Sequence, residues 1–186
     1  RRVAAASNEV ARVLFDRLKP FLSEEEGRQN DNTSPSSNID LSRKLSTAWY
    51  PEGVSKSMRP YDWHPMGLNP TFRICRYDKG GFFFPHHDGG FFVNEFHQSI
   101  KTFMVYLNDD FEGGETRFYN ELQRHYQKPD PDHAIYSYRP RAGDALIFNS
   151  HITHDGGRLL NGQKYIMRSE IMYHAPAEEE EALLRP

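Results

Sequence analysis

Near the start of the chain, hydrophobic residues recur every three or four positions. The positions with this spacing are Val10, Val13, Leu14, Leu18 and Leu22. The spacing predicts an amphipathic helix over residues 7–22. Ser7 or Asn8 is placed to cap its N-terminus, and Pro20 lies near its end.

From residue 71 onward the pattern changes to short stretches that are typical of β-strands. These stretches are residues 71–77, 101–107, 144–148 and 165–173. Paired glycines mark turns between them, at Gly80-Gly81, Gly89-Gly90, Gly113-Gly114 and Gly156-Gly157. Short strands and glycine turns after one helix predict a mainly β fold with supporting α structure. Its core would be a double-stranded β-helix, or jelly roll, preceded by the N-terminal helix.

The length of 186 residues fits a single domain with a sizeable core. We expect residues 1–70 to form helical and loop support, 71–174 the jelly-roll core and 175–186 an acidic tail. Three stretches within this plan are expected to be irregular or loops: residues 23–37, 49–70 and 120–140.

Composition excludes several classes of protein. The formal net charge is -3 and lysine and arginine form no dense block, so no nucleic-acid partner is expected. No apolar run approaches the roughly 18 residues that a membrane span needs. The single cysteine, Cys75, allows no internal disulfide; with no visible signal segment, this favours a cytoplasmic or nuclear location. The oligomeric state is not indicated.

Candidate metal ligands occur in two separate parts of the chain. His86 and Asp88 lie two positions apart, so on a strand they would share one face while His87 points away. His154 comes much later, and Asp155 and Gly156 follow it. Two imidazoles and one carboxylate are typical of an open ferrous site with three free positions. A His-x-Asp pair alone is a weak signal.

Two cations on the last predicted strand extend this pattern. Lys164 follows His154, where it could anchor an anionic cosubstrate bound at the metal. Arg168 shares the strand face of Lys164 and could supplement or replace it. Its alternative role is a structural ion pair with an acid such as Glu170 or Asp144. His151 is the alternative to His154 as the second histidine ligand.

Six blocks of the sequence occur together in a recognisable order. They are residues 67–73, 77–88, 102–108, 111–118, 140–148, and 154–156 together with 162–168. In this order the chain resembles the Fe(II)/2-oxoglutarate-dependent dioxygenases, specifically the prolyl 4-hydroxylase-like branch. The resemblance covers about residues 68–173.

The resemblance implies a metal site and a reaction. It assigns Fe(II) to His86, Asp88 and His154. It further implies that 2-oxoglutarate and O2 are consumed, that succinate and CO2 are released and that a C–H bond is hydroxylated. Ascorbate is a further cofactor to expect from the same resemblance. The carboxylate of Asp88 favours hydroxylation over halogenation, since halogenating relatives lack this ligand.

The resemblance also assigns residues to the cosubstrate. Lys164 matches the basic residue that anchors the distal carboxylate of 2-oxoglutarate, and Tyr77 matches a tyrosine that contacts the same molecule. Thr102 lies on a strand that lines the pocket in relatives. Arg168 is the fourth candidate, because it shares a strand face with Lys164 and not because of the resemblance.

The substrate is not encoded in a readable motif. A peptidyl proline or another protein side chain is the first expectation, and a small molecule or free amino acid handled by the same mechanism is the alternative. Specificity is expected in the stretches 23–70, 89–98 and 120–140. Two other classes of protein compete with this interpretation: a catalytically silent binding module, and a zinc hydrolase that uses the same three ligands.

Overall fold

A computed structural model describes residues 1–27, 63–119 and 131–175. In these residues the chain forms one long helix, α1 (Asn8–Gly27), and two antiparallel sheets. The strands are β1 (Arg2–Ala6), β2 (His64–Leu68), β3 (Thr71–Asp78), β4 (Phe83–His86), β5 (Phe92–Asn94), β6 (His97–Tyr106), β7 (Phe111–Gly113), β8 (Thr116–Phe118), β9 (Tyr136–Tyr138), β10 (Ala145–Asn149), β11 (His154–Gly156) and β12 (Leu159–His174). One 3-10 turn, Pro131–His133, precedes β9. The predicted fold class, a jelly-roll-like β domain with an N-terminal helix, is confirmed.

Helix α1 confirms the predicted helix, but it is longer than predicted and two of the expected buried positions are exposed. Ser7 is its cap, because the backbone N–H of Val10 donates to Ser7 Oγ at 3.2 Å. The helix continues past Pro20 to Gly27, where the sequence indicated a loop. Its buried stripe is Ala11, Phe15, Leu18 and Leu22, whereas Val10 and Val13 are exposed. Burial of that stripe against the sheet compensates for the hydrogen bond that a proline removes from a helix.

The larger sheet has β12 at its centre. Its strands follow the order β1-β3-β12-β6-β10; β2 and β7 also pair with β12, and β5 pairs with β6. The register places Lys164 opposite Tyr77 and Arg168 opposite Arg73. Alternate β12 side chains therefore face the space between the two sheets, among them the two predicted cations.

The smaller sheet follows the order β4-β11-β8-β9. Its pairing places His154 at the start of β11 directly opposite His86 at the end of β4. Two histidines far apart in the sequence thus become neighbours through backbone pairing alone.

The four predicted strands correspond to β3, β6, β10 and β12. Two predicted irregular stretches contain strands: β2 lies within residues 49–70 and β9 within 120–140. Both strands are short and lack strong apolar alternation, which is why the pattern did not indicate them. The expected loops over residues 28–37 and 120–130 and most of the tail, 176–186, lie outside the described residues. The division into support, core and tail stays a prediction.

Buried hydrophobic residues form two clusters, one on each face of the larger sheet. The outer cluster joins α1 to the sheet and includes Phe15, Phe72 and Phe103. The inner cluster lies between the two sheets and includes Phe118 and Phe148. Within the described part of the chain, no helix has the length and apolar character needed to cross a bilayer.

Candidate metal centre and cosubstrate site

The three predicted ligands converge between the sheets. One ligand atom from each of His86, Asp88 and His154 lies within 4.8 Å of the others. Nε2 of His86 is 3.5 Å from Oδ1 of Asp88, and Nε2 of His154 is 3.6 Å from Oδ2. Among the described residues this is the only cluster of three side chains able to hold a metal. His151, the alternative ligand, is exposed and lies outside it.

The outer nitrogen of each histidine bonds to the backbone. Nδ1 of His86 donates to the carbonyl of Phe84 at 2.8 Å, and Nδ1 of His154 to that of Ile152 at 2.9 Å. These bonds leave the lone pair of each Nε2 facing Asp88, which is the orientation of a metal ligand. Burial lowers the pKa of His154 to about 4 despite the opposing charge of Asp88, so its imidazole is neutral and able to coordinate.

Asp88 is held as an ionised carboxylate. Its side chain is fully buried, and its Oδ2 accepts a hydrogen bond of 2.7 Å from Thr102 Oγ1. Burial acts to raise the pKa of Asp88, but its interactions with His86, His154, Arg168 and Thr102 together lower it to about 2. Two imidazoles and one carboxylate, all aimed at one point, fit a divalent iron ion.

The ligands line a cavity of about 50 Å³ together with the predicted cosubstrate residues Tyr77, Lys164 and Arg168. Lys164 is 4% exposed, and its Nζ donates to the carbonyl of Gly114 at 2.5 Å. Burial lowers the pKa of Lys164 to about 8, while the charges of Glu115 and Asp155 act to raise it. An ammonium group has three donors, so this one can bind an additional anionic partner.

Aromatic rings surround the ammonium group of Lys164. Its Nζ lies 5.2 Å from the ring centre of Tyr106 and 5.9 Å from that of Tyr77. Burial raises the pKa of Tyr77 to about 12, so its hydroxyl remains a hydrogen-bond donor at neutral pH. The arrangement suits the binding of a carboxylate by one cation and one phenol.

Thr102 and Arg168, which were also predicted to contact the cosubstrate, contact the carboxylate of Asp88. Thr102 is fully buried, and its hydroxyl bonds to Asp88 and lies 3.1 Å from Ser150 Oγ. The guanidinium of Arg168 contacts Oδ1 of Asp88 and lies 3.3 Å from Oε1 of Glu170. The Glu170 ion pair that the sequence suggested is therefore present. Cosubstrate binding by Thr102 and Arg168 stays a prediction.

The sequence did not reveal three residues near the site. Arg117 forms a two-pronged ion pair with Asp155, at 2.9 and 2.7 Å, directly beside His154. In the sequence, Asp155 was noted only as part of the motif His154-Asp155-Gly156 and was given no role. Arg2 also lines the cavity, because β1 pairs with β3 and places it opposite Cys75. No signal pointed to Arg2, since β1 itself was not predicted.

The family of the chain follows from a comparison with known families. The family described as the 2OG-Fe(II) oxygenase superfamily matches residues 72–169, which is more than half of the chain. The chain therefore belongs to the 2OG-Fe(II) oxygenase superfamily. The family implies Fe(II) and 2-oxoglutarate as metal and cosubstrate, so the predictions of the enzyme class and of these two cofactors are confirmed.

Curated relatives in Arabidopsis thaliana are named as prolyl 4-hydroxylases. "Probable prolyl 4-hydroxylase 3" is 32% identical over 112 residues, which cover 51% of this chain and 36% of the relative. "Prolyl 4-hydroxylase 1" is 28% identical over 128 residues, which cover 61% and 44%. The matched part of the chain thus spans less than half the length of either relative, and the homology is distant.

A solved structure supports the fold. The viral collagen prolyl hydroxylase from Paramecium Bursaria Chlorella virus-1, in its 2OG complex, aligns with a TM-score of 0.51. The alignment covers 94% of this chain and 79% of the viral one at 17% identity. At that identity the likeness shows a shared fold.

Proposed function

We propose that this chain hydroxylates a C–H bond of a protein substrate, with a peptidyl proline as the reacting group. The observation that carries the proposal is the convergence of His86, Asp88 and His154 on one cavity with the buried ammonium of Lys164. The proline is proposed because the Arabidopsis relatives carry the name prolyl 4-hydroxylase.

Each part of the cavity has a proposed task. His86, Asp88 and His154 would hold Fe(II) through two nitrogens and one oxygen, leaving the remaining positions for other molecules. Lys164 would bind the distal carboxylate of 2-oxoglutarate, and the hydroxyl of Tyr77 would donate to the same group. When bound, iron and 2-oxoglutarate supply the activation of O2 and the oxidising power for hydroxylation, with release of succinate and CO2.

The protein's own contribution is to orient these groups and exclude water. The backbone carbonyls of Phe84 and Ile152 fix the ring orientations of the two histidines. Phe148 lies edge-on to His154, with ring centres 4.7 Å apart, and shields the ligand from solvent. A dry cavity strengthens the contact between Lys164 and an incoming carboxylate.

Succinate formation tests the proposal directly. The purified chain is incubated with Fe(II), 2-oxoglutarate and proline-containing peptides, while succinate is measured and peptides are examined for a gain of about 16 Da, the mass of one oxygen atom. His86→Ala and His154→Ala should abolish both signals. His151→Ala is the matched control and should retain them. Undiminished succinate formation in both ligand variants would contradict the proposal.

An anaerobic titration separates the competing classes of protein. Fe(II) is added to the chain with and without 2-oxoglutarate, and the weak visible charge-transfer band of the chelate is followed. The proposed enzyme gives the band only when both are present. A zinc hydrolase or a silent binding module would show no band that depends on 2-oxoglutarate.

A further inference from the structure

Behind the metal-binding carboxylate lies a chain of four buried or half-buried charges. Arg168 contacts Oδ1 of Asp88 through Nη1, and its Nη2 lies 3.3 Å from Oε1 of Glu170. The same Oε1 is contacted by Nη1 of Arg73. The order Asp88, Arg168, Glu170, Arg73 therefore alternates in sign. Glu170, which lies between the two arginines, is fully buried.

Backbone pairing fixes where these groups lie. Arg168 on β12 is opposite Arg73 on β3, and Glu170 on the same face of β12 is opposite Thr102 on β6. Thr102 bonds to the other oxygen of Asp88. The carboxylate of Asp88 is thus held on both oxygens by side chains from the centre of the larger sheet.

Glu170 is itself firmly held. Its Oε2 accepts a hydrogen bond of 2.9 Å from Nδ2 of Asn69, and its backbone carbonyl accepts one of 2.9 Å from the N–H of Asn69. A fully buried carboxylate is costly unless its charge and its lone pairs are satisfied, and here both oxygens have partners. Glu170 is a fixed anionic point rather than a mobile side chain.

Arg168 has few other contacts that could hold it. Its Nε is buried and has no hydrogen-bond partner among the described residues. Among the described residues, its side-chain hydrogen bonds are those of the two terminal nitrogens with Asp88 and Glu170. The direction of the guanidinium therefore depends on Glu170. The guanidinium in turn sets how the Asp88 carboxylate is rotated between the two histidines.

We propose that Glu170 is a positioning residue for the metal-binding carboxylate and acts through Arg168. The inference rests on the proposed function in one respect, that Asp88 binds the metal. Without the charge of Glu170, Arg168 has only Asp88 as a counter-ion. It then adds net positive charge beside a divalent ion and is free to turn Asp88. Repulsion and lost orientation act in the same direction, so both weaken metal binding.

Co(II) binding to the full chain, without 2-oxoglutarate, tests this role. Glu170→Gln preserves the shape of the side chain and removes its charge. We expect it to weaken Co(II) binding about 10-fold or more, the usual effect of losing a residue that orients a metal ligand. The visible bands of bound Co(II) should also shift, because they report ligand geometry.

Arg73→Gln is the matched control. It removes a partner of the same Glu170 oxygen and should lower the melting temperature, as Glu170→Gln should. However, it leaves the pair between Glu170 and Arg168 intact, so the Co(II) dissociation constant and spectrum should match the wild type. If Glu170 only stabilised the fold, the two variants would either lose Co(II) affinity to the same extent or both keep it. Either result overturns the inference.

A second variant covers the case in which Glu170→Gln does not fold. Arg168→Lys retains the charge, but a single ammonium cannot contact Asp88 and Glu170 as a two-pronged guanidinium does. It should weaken Co(II) binding and shift the bands in the same way, and unchanged binding overturns the inference. If the wild type itself binds no Co(II), the proposed metal site fails, which is distinct from a failure of Glu170 to position it.

Discussion

At the scale of single residues, burial decides the chemistry of this site. Asp88, His154 and Lys164 are each at least nine-tenths buried. Burial keeps His154 neutral and lowers the pKa of Lys164, whereas a set of hydrogen bonds and charges keeps Asp88 ionised. Each group is thereby given the protonation state that its proposed role requires, except that Lys164 is close to losing its proton in weakly alkaline solution.

The binding of 2-oxoglutarate should therefore weaken as the pH rises. The pKa of Lys164 is lowered from 10.5 to about 8. Its ammonium form is fully present well below pH 8 and is lost above it, so the KM for 2-oxoglutarate should rise up to about tenfold per unit above that pH. Lys164→Arg should remove this dependence, because a guanidinium stays protonated.

The measurement is the KM for 2-oxoglutarate from pH 6.5 to 9.5, reading succinate. Lys79→Arg is the control, since Lys79 is exposed and should keep the wild-type profile. The same loss of affinity above pH 8 in Lys164→Arg would show that another group titrates.

At the scale of elements, the site depends on the pairing of strands and on one turn. The ligands and Lys164 were predictable because their sequence blocks occur in the order of a known family; the pair His86-x-Asp88 alone was a weak signal. Of the contacts around Glu170, only the ion pair with Arg168 was suggested by the sequence; its other partners, Arg73 and Asn69, come from a distant part of the sequence. The short strands β1, β2 and β9 were missed for a similar reason: their pairing partners, not their own residues, make them strands.

The turn between β7 and β8 positions Lys164. Gly114 has a φ of +70° and its carbonyl accepts the Lys164 hydrogen bond; an added Cβ would lie 3.3 Å from Cδ of Lys164. Gly114→Ala should lower stability by about 1–2 kcal/mol, the usual cost of a left-handed conformation. It should also raise the KM for 2-oxoglutarate several-fold by displacing the lysine.

Gly143→Ala separates these two effects. Gly143 has a φ of +87°, and an added Cβ there would meet nothing within 4 Å. Thermal unfolding should show a similar loss of stability for both variants, whereas the KM should change only for Gly114→Ala. Equal KM values for the two variants would exclude a role of this turn in placing Lys164.

At the scale of the whole molecule, the larger sheet separates two hydrophobic clusters with different tasks. The cluster around Phe15 joins α1 to the sheet, and the cluster around Phe148 lies between the sheets beside His154. The helix and the general β architecture followed from periodicity in the sequence. The different tasks of the two clusters could not be predicted from the sequence. They depend on which face of the sheet each side chain occupies, and strand register sets that face.

Matched substitutions in the two clusters should therefore differ in their effect on the site. Phe15 and Phe148 are 6% and 1% exposed. Replacing either by leucine should lower the free energy of unfolding by about 1 kcal/mol, since a similar apolar volume is retained. Only Phe148→Leu also removes the edge-on ring that holds His154, so only this variant should weaken Co(II) binding, by a few-fold.

Urea titrations measure the stability of each variant, and Co(II) titrations measure its affinity for the metal. An equal loss of affinity in Phe15→Leu would mean that metal binding follows global stability, and that the two faces of the sheet are not independent.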